Sequence, residues 1–193
     1  FLDGKMVVHT GDTLPHKVLT NSTYAQSLDF FNQNKIPEPD QFKSIERFTK
    51  TANLMKNYPS KSATSPLDYA YDVLKSVSWS AERHFNDVKY TTNTRWSIVY
   101  DLTNLRIHFR TWDHQQIRSI RMSELDFSCK TPSKVLDINE ELSGDVTDKF
   151  IEYTQKIHRD LIERAFTKTF FLANYPAEKR DILSKYPDSF ACE

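Results

Sequence analysis

The sequence predicts an α+β fold: an antiparallel sheet with flanking helices and a long C-terminal helix. Three observations predict it. Residues 94–100, 105–111 and 116–122 are β-branched and aromatic runs separated by turn residues. Residues 42–55 and 67–77 repeat apolar side chains at three and four, the period of a helix. Residues 144–174 carry a longer stripe of that kind. A length of 193 residues suits one domain with an appendage.

Taken in order, Leu2, Asp3-Gly4 and Met6-Val7-Val8 read as strand, turn and strand, because Asp-Gly favours a tight turn. Gly11-Asp12 breaks the run, and His16-Lys17-Val18-Leu19 resumes it. Residues 24–34 read as a helix, stopped by Ile36-Pro37-Glu38-Pro39. Asp40 is placed to cap a second helix reaching residue 58, with Phe42, Ile45, Phe48, Thr49, Ala52 and Met55 on its apolar side. Pro66 opens a third helix at the position where proline is tolerated. Residues 79–90 are charged and read as a loop. The meander follows: residues 94–100, a turn at 101–104, residues 105–111, a turn at 113–114 and residues 116–122. Alternation gives its second strand one face with Leu105, Ile107 and Phe109, expected buried, and one with Arg106, His108 and Arg110. Residues 125–136 read as loop with one short strand, and residues 144–174 as one long helix ending before Pro176. A short helix at 177–185 closes the chain before a polar tail.

Composition excludes several classes. Lys plus Arg and Asp plus Glu both number 26, so no charge excess points to nucleic acid or a membrane surface. Aromatics at 13% favour a packed core. Two cysteines, Cys129 and Cys192, exclude a disulfide framework and a cysteine-rich zinc site, and Cys129 reads as a small buried filler. With three glycines, no phosphate-binding glycine loop or nucleophile elbow can be written. His9, His16, His84, His108, His114 and His158 are scattered and read as surface or edge residues. Arg106, Arg110, Arg118 and Arg121 read as a solvated strand face with ion pairs, an anion site being the alternative. No metal and no cofactor are expected. No run of 18 apolar residues exists, and the first residues do not read as a signal peptide. The chain starts at Phe1 rather than Met, with half a hairpin, and is expected to be a piece of a longer protein.

The stretch with chemical character is Lys17-Val18-Leu19-Thr20-Asn21-Ser22-Thr23-Tyr24, where an apolar strand opens into a helix. Backbone groups are unpaired at such a junction. The amide of Asn21 offers donors that stabilise a developing oxyanion. The commoner use of Thr20, Asn21, Ser22 and Thr23 is to cap the helix. Asn21-Ser22-Thr23 also fits the short N-glycosylation pattern.

Three blocks in order resemble one family, the choloylglycine hydrolases and penicillin V acylases. Val18-Leu19-Thr20-Asn21-Ser22-Thr23-Tyr24 is similar to its V-L-T-N-(S/N)-P-T-(F/Y) block, with Thr23 where the pattern has proline. Ser44-Ile45-Glu46-Arg47-Phe48 with Thr49-Lys50-Thr51-Ala52 resembles its S-x-x-R-F-x-R-x-A helix, with Lys50 in place of the second arginine. Residues 94–101, 105–111 and 116–118 resemble its final meander. The spacing of Asn21 and Arg47 resembles the Gram-negative branch, which lacks a tetramer-forming loop and is usually periplasmic.

The resemblance implies an N-terminal-nucleophile hydrolase with an αββα sandwich. Residues 1–122 would be the C-terminal part of that domain, and residues 123–193 a helical extension packing on it. In this family an N-terminal cysteine attacks a linear amide with its own α-amino group as base. Its asparagine matching Asn21 helps form the oxyanion hole, and its arginine matching Arg47 lies near the nucleophile. That cysteine belongs to a half this chain does not contain, so the chain alone is expected to be inactive. The implied partners are the missing N-terminal half, from the same precursor or a second chain, and a small N-acyl amide: a conjugated bile salt, penicillin V or an N-acyl homoserine lactone. A homo-oligomer stays open, and the implied compartment is periplasmic or secreted. A reading from another class is a non-catalytic α+β module whose long C-terminal helix binds a partner.

Overall fold

A computed structural model describes residues 4–34, 43–58, 64–85 and 87–189. They form two compact units, Phe1–Val99 and Tyr100–Glu193, with the division falling inside one strand.

The first unit is built on helices. Its first helix, α1 (Tyr24–Asn32), begins where Thr23 caps it: the Thr23 hydroxyl accepts from the Gln26 N–H at 3.3 Å. The second, α2 (Ser44–Lys56), keeps its first turn closed because the Glu46 carboxylate accepts from the Lys43 N–H at 3.0 Å. Phe48 and Ala52, 0% and 1% exposed, bury the inner side of α2 against Tyr24. The rings of Tyr24 and Phe48 meet edge to face at 5.7 Å. Leu14, Val18, Leu28 and Phe31 close this core. Helix α3 (Pro66–Ser76) is capped by Ser65 and tied to α2 by the Tyr69 hydroxyl, which donates to the Leu54 carbonyl at 2.6 Å. The expected cap Asp40 lies outside the described residues.

Two expectations in this unit are corrected. Residues 79–90 are not a loop but hold a hairpin of β1 (Ser80–Phe85) and β2 (Val88–Asn93), paired from Ser80↔Asn93 to Phe85↔Val88. The turn residue Asp87 has φ 62°, a region aspartate tolerates. Both strands are largely solvated, and Lys89 pairs with Glu82 at 2.6 Å. A strand pair without a buried face carries no apolar alternation to read. Conversely, residues 6–10 and 14–20 join no ladder among the described residues. Burial along residues 14–20 nevertheless alternates: Leu14, His16, Val18 and Thr20 are half-buried, and Leu19 is 77% exposed. The period is that of a strand, without the neighbouring strand that would define one.

The dividing strand is β3 (Trp96–Asp101). Beyond it come β4 (Arg106–Thr111) and β5 (Arg118–Arg121), antiparallel from Arg106↔Arg121 to Phe109↔Arg118. Two short strands, β6 (Lys134–Val135) and β7 (Gly144–Asp145), follow, and the sheet order is β3-β4-β5-β7, with β7 parallel to β5. The Asp101 carboxylate accepts from the Thr103 and Asn104 N–H groups at 3.1 and 3.0 Å and closes the β3–β4 turn. The faces of β4 differ from expectation. Leu105 sits in the turn with φ 50° and is 55% exposed, whereas His108 is 7% exposed. Arg118, expected on a solvated face, is fully buried. It lies 4.6 Å over the Phe109 ring and donates to the carbonyls of Ile138, Glu140 and His114 at 2.7, 3.1 and 3.2 Å.

Residues 144–174 are not one helix. Gly144 takes φ 71° at the start of β7, Val146 is buried just after it, and β8 (Ile151–Glu152) pairs with β6. Only then does Thr154 cap α4 (Gln155–Lys168), its hydroxyl accepting from the Ile157 N–H at 3.2 Å. Helix α5 (Ala177–Lys185) lies against α4 through Arg159–Asp181 and Arg180–Glu163 ion pairs at 2.5 and 3.1 Å. No helix among the described residues is long and apolar enough to cross a membrane.

Candidate functional site

The polar junction before α1 separates the two uses of its side chains. Capping falls to Thr23, whose hydroxyl also donates to the Gln26 side-chain oxygen at 2.9 Å. Asn21 is exposed, and its side-chain oxygen accepts from Arg47 Nη2 at 2.9 Å across 26 positions. A guanidinium has donors only, so the atom facing it must be the amide oxygen. The Asn21 NH₂ group therefore faces away from Arg47 with its donors uncommitted among the described residues.

Arg47 stands in the first turn of α2, on the side that flanks Phe48. It is half-buried, and its Nε is buried without a partner among the described residues. It forms no ion pair there. A guanidinium with no ion pair among the described residues, beside an outward amide, groups N–H donors suited to negative charge. Such a grouping can stabilise an anion but supplies neither base nor nucleophile. Sequence reasoning named Asn21 and Arg47 separately; the fold brings them into one hydrogen bond.

Ser44, the first residue of α2, appears in the sequence only as the opening residue of the helix block, with no role assigned. Its hydroxyl accepts from the Ser22 N–H at 2.6 Å and donates to the Thr20 hydroxyl at 2.9 Å. The signal that could have found it is its spacing of three from Arg47, which puts both on one side of a helix.

Two concavities formed by described residues do not include this pair. One, of about 350 Å³, is lined by Pro15, His16, Lys17, Val18, Ala52 and Met55 among others. The other, of about 500 Å³ in the second unit, lies along the loop at residues 124–134. In that loop Cys129 is exposed and disulfide-bonded, not a buried filler. The chain's other cysteine, Cys192, lies outside the described residues. Of the histidines, His108 departs from the surface reading: its Nδ1 lies 2.8 Å from the Ser119 hydroxyl, inside the sheet. Burial pushes its imidazole below the ordinary value, opposed by Asp101 and reinforced by Arg106. No group of three or more metal-binding side chains is gathered among the described residues.

A model of the linear amide C–N hydrolases, choloylglycine hydrolase family, matches residues 9–137. Among solved structures, the chain is similar to a penicillin V acylase from Agrobacterium tumefaciens. The TM-score is 0.62 at 22% identity, over 80% of this chain and 52% of the acylase. A mutant conjugated bile acid hydrolase from Clostridium perfringens matches at TM-score 0.43 and 16% identity, over 55% of this chain and 40% of that one. The chain thus spans about half the length of the acylase, whose fold it shares over that span. No curated protein matches it by sequence.

Proposed function

Because the chain belongs to the choloylglycine hydrolase family of linear amide C–N hydrolases, we propose that it carries the oxyanion side of such an enzyme's active site. The attacking cysteine lies in sequence outside this chain. The observation that carries this reading is the 2.9 Å bond from Arg47 to the Asn21 oxygen, which aims the amide donors outward.

In the proposed reaction an N-terminal cysteine thiol loses its proton to its own α-amino group and attacks the acyl carbon. The C=O π electrons move onto oxygen, and the Asn21 NH₂ donates to that oxyanion. The C–N bond then breaks, and the amine leaves with the proton held by the α-amino group. Water cleaves the resulting thioester, giving a carboxylic acid and restoring the thiol. Arg47 fixes the asparagine amide and adds positive potential that favours thiolate over thiol.

Neither cysteine of this chain fits the attacking role. Neither sits at a free amino terminus, and Cys129 is in a disulfide. The proposed partner is therefore the N-terminal half, joined in one polypeptide or supplied as a second chain. The proposed substrate is a small N-acyl amide, with penicillin V, a conjugated bile salt or an N-acyl homoserine lactone as candidates. A disulfide at Cys129 supports a periplasmic or secreted location, since such bonds persist in oxidising compartments.

The test is reconstitution. This chain alone is expected to release no amine from penicillin V. Joined to the half bearing the cysteine, it is expected to do so, with Asn21→Ala lowering kcat by roughly 100-fold or more. An Asn21→Ala enzyme working at the full rate would end the proposal.

A further inference from the structure

We propose that Ser44 is a positioning residue for the Asn21 amide, an inference that rests on the oxyanion role proposed above. A serine at the start of a helix commonly spends its hydroxyl on the helix's own N–H groups. Ser44 does not. It lies one place inside α2, and the helix entry is closed by Glu46, whose carboxylate accepts from the Lys43 N–H. The Ser44 hydroxyl is spent on the distant loop, accepting from Ser22 N–H at 2.6 Å and donating to Thr20 Oγ1 at 2.9 Å. The residues on both sides of Asn21 are thus tied to one atom. Asn21 itself is tied to Arg47, three positions along the same helix.

The loop therefore meets the first turn of α2 at three consecutive residues, 20, 21 and 22. Arg47 alone would fix the amide oxygen but leave the backbone beneath it free to shift. Ser44 fixes that backbone, and α2 is itself anchored by Phe48 and Ala52 in the core. A donor group acts on an oxyanion only if held within about 0.5 Å of its working position. Displacement by about 1 Å can cost on the order of 100-fold in rate. The double tether is the device that meets this tolerance, and it requires a hydroxyl: one lone pair for Ser22 and one proton for Thr20.

The test uses Ser44→Ala and Ser44→Thr in the protein joined to its cysteine-bearing half. Ser44→Ala is expected to lower kcat about tenfold or more with KM within about twofold, whereas Ser44→Thr, which keeps the hydroxyl, stays within about threefold of the parent. In an Asn21→Ala background, Ser44→Ala is expected to cost nothing further. If Ser44→Ala does not fold, Thr20→Val removes one tether at unchanged shape, and a fall of several-fold is expected. The Asn21 side-chain ¹⁵N–¹H resonances of this chain give a readout independent of activity. They should move or broaden in Ser44→Ala and return in Ser44→Thr. A parental kcat in Ser44→Ala, or an equal loss with and without Asn21, overturns the proposal. An Asn21→Ala variant at full rate sinks the oxyanion role instead, and the amide resonances then decide by themselves whether Ser44 holds that side chain.

Discussion

The bond between Arg47 and Asn21 can be weighed by a double-mutant cycle on catalysis. The perturbations are Asn21→Ala, Arg47→Ala and the pair, each in the protein joined to the proposed cysteine-bearing half. Asn21→Ala deletes the proposed oxyanion donor, and is expected to cost about 2.7–4 kcal/mol, or 10²–10³ in kcat. Arg47→Ala leaves the amide present but untethered. Two effects then add: the amide must be ordered at each turnover, and it is turned correctly only part of the time. Fixing one such side chain costs on the order of 1 kcal/mol, and a charge-assisted bond to a half-solvated guanidinium contributes about 1 kcal/mol more. The coupling between the two sites is therefore expected at about 1–2 kcal/mol, a factor of 5–30 in rate. Any loss in Arg47→Ala beyond that coupling belongs to its other proposed task, favouring the thiolate. The assay is kcat from amine release, paired with thermal midpoints to show that each variant folds. Full additivity, with coupling below about 0.5 kcal/mol, would refute the claim that this hydrogen bond holds the amide for catalysis.

Other outcomes follow from the same structure. Phe48→Ala empties a fully buried ring site at the centre of the first unit and is expected to cost about 3–5 kcal/mol in urea unfolding. Arg118→Met strips three carbonyls of their buried donor; a loss of about 3 kcal/mol or more is expected, and an unchanged midpoint would contradict the buried network. His108 has a folded pKa below its unfolded value of about 6.5. Its neutral form is the one the fold prefers, so its contribution is present above that pH and is lost as pH falls through the folded value. Urea midpoints should drop between neutral and mildly acidic pH, and His108→Gln should flatten that drop. Reducing the disulfide at Cys129 is expected to lower stability by about 2–4 kcal/mol, read as a fall in Tm with dithiothreitol.

What the sequence made legible was whatever local chemistry decides. Thr23 with Gln26 and Ser65 with Asp68 mark helix starts through short-range bonds, Pro176 marks a third by its residue type, and those helices begin where expected. What it concealed depends on partners far along the chain. The β1–β2 hairpin buries little, so its strands carry Glu82 and Lys89 instead of an apolar alternation. The stripe running through Val146, Phe150 and Tyr153 mimicked a helix. Val146 and Phe150 lie between a parallel strand and a short antiparallel one, and Tyr153 follows the latter; tertiary burial of Val146 overrides the local period. Arg118 could not be told from Arg106 by residue type. Only the carbonyls of Ile138 and Glu140, some twenty positions on, make one of them a buried staple. The proposed site shows the same division. Residue type was enough to single out Asn21 and Arg47, but not to show that they share a hydrogen bond, and the targets of the Ser44 hydroxyl are set by the fold.

The polarity of the pair sets the limit on what these two side chains can do by themselves. An asparagine amide turned by a guanidinium presents N–H donors, and Arg47 presents more of them. Donors lower the energy of a tetrahedral oxyanion and of a thiolate, but they take no proton and form no bond to carbon. A complete amide hydrolase needs both kinds of group on opposite sides of one carbonyl. The donor side must be rigid, because its effect depends on distance to an atom that becomes charged only in the transition state. It is placed here at the first turn of a helix whose next turn is locked into the core by Phe48. If the nucleophilic half is joined and the donors are as well held as Ser44 and Arg47 make them, loosening α2 at a distance should act on kcat without touching the reacting atoms. Ala52→Gly, in the core face of α2, tests this: it should lower stability by roughly 1 kcal/mol or more and lower kcat well below saturation effects on KM. A kcat that stays constant while the midpoint falls would mean the amide is held by something other than this helix.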